Sequence, residues 1–192
     1  MKRKENNLLS KIKRKLSGGG GASVAVAGGE NPSGEKTLNL AVIKKDAEDH
    51  YRNGDFYCSE AIVYVIRKHI DPAMPPEAVS MSSGFPVGVG GSLCICGAIS
   101  GGIMCFGYFF GRSQPKDKKS VNKTMALSKE LYDYFVLNHK FVCCKILTKG
   151  MKMGSAEHMK QCVSFTGEIA EKTAEIIGRE LGLRFTANQA ES

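Results

Sequence analysis

Seven cysteines, Cys58, Cys94, Cys96, Cys105, Cys143, Cys144 and Cys162, are the residues of this 192-residue chain best suited to chemistry. Their number is odd and too small for a disulfide scaffold, in which Cys exceeds roughly 8% of residues, so thiol or metal chemistry is the better expectation. They fall in four separate regions. Four thiolates satisfy tetrahedral zinc or supply the terminal ligands of an iron–sulfur cluster. There is no C-x-x-C and no C-x-x-C-H, so the zinc-ribbon, thioredoxin and c-type haem signatures are missing. Cys96 stands out because it joins a glycine-rich loop to a helix start, where backbone N–H groups lower a thiol pKa. Cys105, between Met104 and Phe106, reads as a packing residue. His139 precedes Cys143, and His158 precedes Cys162, by four residues, a spacing that puts each pair on one helix face. Helix-end capping for His139 and solvent exposure for His158 are the simpler readings, and His50 and His69 read as surface residues at helix ends.

Positioning these groups is a task for helices. Leu38, Leu40, Ala41, Ile43, Ala47 and Tyr51 form an apolar stripe closed by Asn53-Gly54. Asp55 is the expected N-cap of a second helix, Phe56 to Ile70, with Cys58 facing inward. A short turn of helix follows over 77–82, then the glycine-rich segment from Ser83 to Gly107, whose loop is expected to sit over a site. A long helix from Val121 to Asn138 is expected to turn Met125, Leu127, Leu131, Tyr134 and Phe135 inward. Phe141 to Leu147 reads as a short helix, and Ser155 opens the last long one, with Cys162 in its buried stripe. Strand-like alternation is scarce, so the fold class is all-α: a compact helical bundle with a Gly-rich loop.

The chain divides into a basic amphipathic segment (1–17), a Gly-rich flexible linker (18–36), a helical domain that holds all seven cysteines (37–185) and a tail (186–192). The first 17 residues hold seven basic groups against Glu5 alone, so most of the formal charge of +8 lies there. The nearly neutral remainder argues against a nucleic-acid groove. Leu8, Leu9, Ile12 and Leu16 would give the basic segment an apolar side, suited to an anionic membrane surface or an acidic partner. No apolar run approaches the roughly 18 residues of a membrane span, and the stretch from Ala22 to Ala27 is too short for a signal peptide. A cytoplasmic protein, with peripheral association at the inner membrane face, is the expectation. Gly88-Val89-Gly90-Gly91 lacks the strand and acid of a dinucleotide site and the Lys-Ser/Thr of a phosphate loop.

Cys96-Gly97-Ala98-Ile99-Ser100-Gly101 resembles the CGAxxG signature of the redox-active C_GCAxxG_C_C family, a kind of domain that also occurs in split-Soret cytochrome c. The resemblance runs in order from about Leu38 to Leu181: Cys58 is similar to the family's first cysteine, Cys96 to the second, Cys144 to the third and Cys162 to the last. It implies a redox role with an iron or iron–sulfur centre, [2Fe–2S] being the first choice and [4Fe–4S] the second. Cys58, Cys96, Cys144 and Cys162 are the implied ligands, Cys94 and Cys143 the alternates, and the backbone of Gly90, Gly91 and Gly97 the donor of hydrogen bonds to sulfur. Metal-free thiol–disulfide exchange led by Cys96, and a Cu(I) or Zn module using Met151 or Met153, are the competing readings. A redox partner docked through the basic segment is expected, as is a homodimer paired through Gly97, Ala98, Gly101 and Gly102.

Overall fold

A computed structural model of the chain describes residues 37–186. The expected basic segment, the whole of the linker and the last six residues lie outside the described residues. Within them the protein is helical, with one two-residue parallel pair that the sequence pattern does not announce, β1 (Thr37–Leu38) beside β2 (Arg184–Phe185). Helix α1 (Leu40–Arg52) is capped by Asn39, whose side chain accepts from the Val42 amide at 3.1 Å. Helix α2 (Cys58–His69) starts later than expected. Its N-cap is Tyr57, whose amide donates to the Glu60 carboxylate at 3.0 Å, while Asp55 turns instead to His50 Nδ1 at 2.9 Å. The Glu60 side chain, one turn in, competes better for the free amide than Asp55 two residues outside.

Short turns α3 (Glu77–Met81) and α4 (Pro86–Val89) lead into α5 (Gly97–Phe110). Then come α6 (Lys118–His139), α7 (Cys144–Leu147) and α8 (Ala156–Leu181), the last capped by the Ser155 hydroxyl. Leu127, Leu131 and Phe135 of α6 are buried as expected, but Met125 is 65% exposed. Met125 lies two residues before Leu127, about 200° around the helix from the buried stripe.

Helix α8 runs antiparallel to α1 and to α6, as cross-links along their lengths record: Lys44 to Glu171 at 3.3 Å, and Lys123 to Glu180 and His139 to Glu168 at 3.0 and 2.8 Å. His69, expected on the surface, is buried and held by Asp46 at 2.7 Å, which sets α2 antiparallel to α1. The end of α1, the starts of α2, α5 and α8 and the end of α6 therefore share one end of the bundle.

Helices α2 and α5 run parallel and almost touch. A Cβ on Gly101 would stand 2.7 Å from the Ser59 carbonyl oxygen, and one on Gly102 would meet Leu131 and Thr173 at 2.6 Å. This small-residue face is therefore consumed inside the chain, which overturns the expectation that it pairs two copies. Gly101→Ala should lower stability by about 1–3 kcal/mol, because backbone rather than a movable side chain blocks the methyl. Gly107→Ala, with nothing within 4 Å, should be neutral or stabilising by up to about 1 kcal/mol. Urea denaturation of the two variants tests the contrast.

Candidate redox site

Cys58, Cys96, Cys144 and Cys162, brought from four segments, line one cavity at the shared end of the bundle. Three of them occupy helix starts: Cys58 is the first residue of α2, Cys96 the N-cap of α5 and Cys144 the first residue of α7. Cys162 lies in the second turn of α8. Gly97 is required where it stands, since a Cβ there would be 2.5 Å from Cys58 Sγ. Apolar groups, among them Leu93, Ala98 and Phe165, complete much of the wall.

Backbone amides serve the sulfurs, though only one of the three expected loop glycines takes part. Val87 and Ser59 donate to Cys58, Ala98 to Cys96, and Gly97 to Cys144. Gly90 and Gly91 are exposed and point their freedom at the turn, both at positive φ. Val87 takes the role expected of them at φ 55°, a left-handed conformation costly for a β-branched residue. Gly88, at φ 65°, allows the close crossing beneath it, where a Cβ would meet the Cys94 nitrogen at 2.3 Å.

The thiol expected to be most acidic is not. Cys96 is pushed well above its ordinary pKa, first by donating its hydrogen bond to Cys144 and then by burial. Its acceptor, Cys144, is pulled down to about 7 by that same bond, against the opposing effect of its own burial. Burial raises Cys58 to about 11, with the Val87 amide opposing and Cys144 adding repulsion. Cys162 is raised by burial too, partly offset by a hydrogen bond from the Tyr51 hydroxyl. The helix-start field, worth at most about 2 kcal/mol, loses to desolvation at the buried positions.

His158, expected in solvent, is only 6% exposed and lines the cavity. Its Nδ1 accepts from the Gly154 amide at 3.2 Å, which leaves Nε2 as the protonated nitrogen of the neutral ring, 3.6 Å from Cys162 Sγ. The four-residue spacing was the visible signal for this pair. Tyr51 carried no signal beyond its place in an apolar stripe. His139 is held by Glu168 and stays outside the cavity lining. Met153 lines the cavity whereas Met151 does not, and Cys105 is buried in the core away from it.

Cys94 and Cys143 are joined in a disulfide. It lies between two backbone hydrogen bonds, Cys96 N–H to Val142 at 2.7 Å and Lys145 N–H to Leu93 at 3.0 Å, so residues 93–96 and 142–145 run clasped together. This clasp places Cys144 beside Cys96.

The donor set suits an iron–sulfur cluster chemically: four thiols, a largely apolar wall and amides aimed at sulfur. The match is one of composition and convergence, because among the described residues no group of three or more His, Cys, Asp or Glu side chains forms a ready metal cage. No described helix is long and apolar enough to cross a membrane.

A family model described as "Putative redox-active protein (C_GCAxxG_C_C)" matches residues 56–176, a span that contains all four pocket cysteines. No curated protein and no solved structure matches the chain.

Two outcomes follow from this geometry. In metal-free protein, iodoacetamide should alkylate Cys144 with an apparent pKa near 7. Cys96→Ala removes the donor, returns that pKa toward the ordinary value and slows alkylation at neutral pH by about tenfold, as peptide mapping by mass spectrometry would record. Opening the Cys94–Cys143 link, which closes a separation of 49 residues, should cost roughly 2–4 kcal/mol, read from the melt of Cys94→Ala/Cys143→Ala protein.

Proposed function

The chain belongs to the redox-active C_GCAxxG_C_C family, and we propose that it is an electron-transfer protein whose Cys58, Cys96, Cys144 and Cys162 hold an iron–sulfur cluster, [2Fe–2S] before [4Fe–4S]. The convergence of these four thiols on one cavity is the observation that carries the reading. Electrostatics supports it. Cys144 repels charge on Cys58, Cys96 and Cys162, and burial penalises each of them further. Four thiolates cannot share a largely apolar cavity unless a positive charge lies among them, and buried ions without such a partner neutralise instead. When bound, a cluster supplies one-electron exchange at a potential tuned by hydrogen bonds to sulfur and by burial. The amides of Val87, Gly97 and Ala98 would donate such bonds, the Tyr51 hydroxyl and His158 Nε2 would orient Cys162, and Phe165 and Leu93 would limit water.

A second reading, metal-free thiol–disulfide exchange, is favoured by the Cys94–Cys143 disulfide lying next to Cys144, the pocket thiol with the lowered pKa. In it the Cys144 thiolate attacks one sulfur of that disulfide, the S–S bond breaks, and the other sulfur leaves as thiolate.

Full-length protein purified without oxygen decides between them. Under the first reading it carries iron and acid-labile sulfide and absorbs visible light. Serine at any of the four pocket cysteines should remove more than half of the iron, whereas Cys105→Ala should keep it. Colourless protein without iron that reshuffles its disulfide from Cys94–Cys143 to a link with Cys144 as pH rises through about 7, without oxidant, would establish the second reading instead. Zinc or copper without sulfide would make the cavity a thiolate metal site.

A further inference from the structure

The surface above the cavity differs from the rest of the bundle. Residues 84–96 carry no charged side chain. Tyr57, Val89, Ile146 and Met153 stand exposed nearby, and Tyr57 and Met153 belong to the cavity wall. Beside them, residues 140–156 hold four lysines, Lys140, Lys145, Lys149 and Lys152, and no acid. All four are exposed. Lys145 follows Cys144 directly, and Lys149 and Lys152 lie within the segment whose ends, Thr148 and Met153, belong to the wall.

Elsewhere among the described residues Lys44, Lys45, Lys68, Lys123, Lys129 and Lys172 are each neutralised by a carboxylate, whereas Lys116, Lys118 and Lys119 surround Asp117 and, with Lys160, form no salt bridge. Among the described residues none of Lys140, Lys145, Lys149 and Lys152 has a carboxylate partner. An apolar centre with an unneutralised basic rim is the complement of a protein surface with an apolar centre and a carboxylate rim. Its position over the thiols, rather than on a remote face, ties it to electron exchange.

We propose that this rim is the docking surface for an acidic electron-carrier protein, one whose own redox centre is ringed by carboxylates. The proposal rests on the electron-transfer reading and names its partner class. In the docked pair one electron leaves the reduced carrier, which is oxidised, and reduces the centre in the cavity. No bond is exchanged between the proteins. The carboxylates steer the encounter and set orientation, and the apolar contact brings the two centres together.

The test measures binding of full-length protein to an acidic plant-type ferredoxin, with a basic c-type cytochrome as the probe of opposite charge. Two charge-matched variants are compared: Lys145→Glu/Lys149→Glu/Lys152→Glu at the rim and Lys116→Glu/Lys118→Glu/Lys119→Glu at the start of α6. The latter site is a helix of 22 residues away from His139, about 33 Å. At low ionic strength the rim variant should bind ferredoxin about 10- to 100-fold more weakly and the α6 variant within about threefold of the parent, and added salt should erase the difference. Unchanged melting curves establish that both variants fold.

The proposal is overturned if both variants lose affinity equally or neither does, since either result assigns attraction to net charge or to the basic N-terminal segment. It is also overturned if the cytochrome binds as tightly as ferredoxin, or if anionic phospholipid vesicles show the rim dependence and ferredoxin does not. Rim-dependent binding by protein that lacks iron would keep the docking surface and defeat the cluster. Iron-loaded protein without rim dependence would do the reverse.

Discussion

The approach of α5 to α2 is the constraint on which the rest of the molecule depends. Gly97 and Gly101 let two parallel helices come so close that a methyl group at either position would strike Cys58 Sγ or the Ser59 backbone. Parallel helices packed in register place their starts level, so Cys58 and Cys96 arrive at the same end of the bundle. The buried Ser59 hydroxyl, donating to the Ser82 carbonyl at 3.0 Å, fixes the loop that follows. The antiparallel α1 and α8 then deliver Tyr51 and Cys162 to the same place. Convergence of the sulfurs is thus a consequence of helix polarity and of two missing side chains.

What the cavity does with those sulfurs is decided by a contest between two electrostatic effects. Helix starts and backbone amides favour thiolate at Cys58, Cys96 and Cys144, while removal from water disfavours it at all four positions. Burial prevails at Cys58 and Cys162, and it adds to the proton that Cys96 holds for Cys144. The result is one thiol ready to ionise among three that resist. A cavity tuned for four simultaneous negative charges needs a cation inside it, whereas a cavity tuned for one needs only a neighbouring disulfide.

Much of the scaffold was legible in the sequence because its helices are amphipathic and the last opens on an ordinary cap, Ser155, although α6 starts at Lys118, three residues before the expected Val121, because Asp117 caps it. The identity of the four cysteines came from the glycine motif and the order of the residues around it. The individual environments were not legible. His158 follows the Ser155 cap and looks exposed by position, yet it is buried with its ring held by the Gly154 amide. Cys96 has the better local setting for a thiolate, but its partner Cys144, 48 positions away, determines which of the two keeps the proton. Asp55 has the better capping side chain, but Glu60 reaches the free amide. Only the Cys96–Cys144 contact crosses the chain and leaves no record in spacing; the Glu60 and Gly154 contacts are made within four residues, where several local partners compete and residue type alone does not rank them.

The clasp between residues 93–96 and 142–145 separates the duties of the cysteines. Cys94 and Cys143 bond to each other outside the cavity lining, while Cys96 and Cys144 line the cavity and share a proton. The loop takes left-handed backbone at Val87, Gly88, Val89 and Leu93 and is held by its own hydrogen bonds, Leu93 N–H to Val87 at 3.1 Å among them, with the link and its two flanking backbone hydrogen bonds beyond. The strain at Val87, which aims an amide at Cys58, is shared between those bonds and the crosslink. Opening that crosslink would therefore act first on the placement of Cys96, Cys144 and the Val87 amide, and only through them on electron exchange at the cavity.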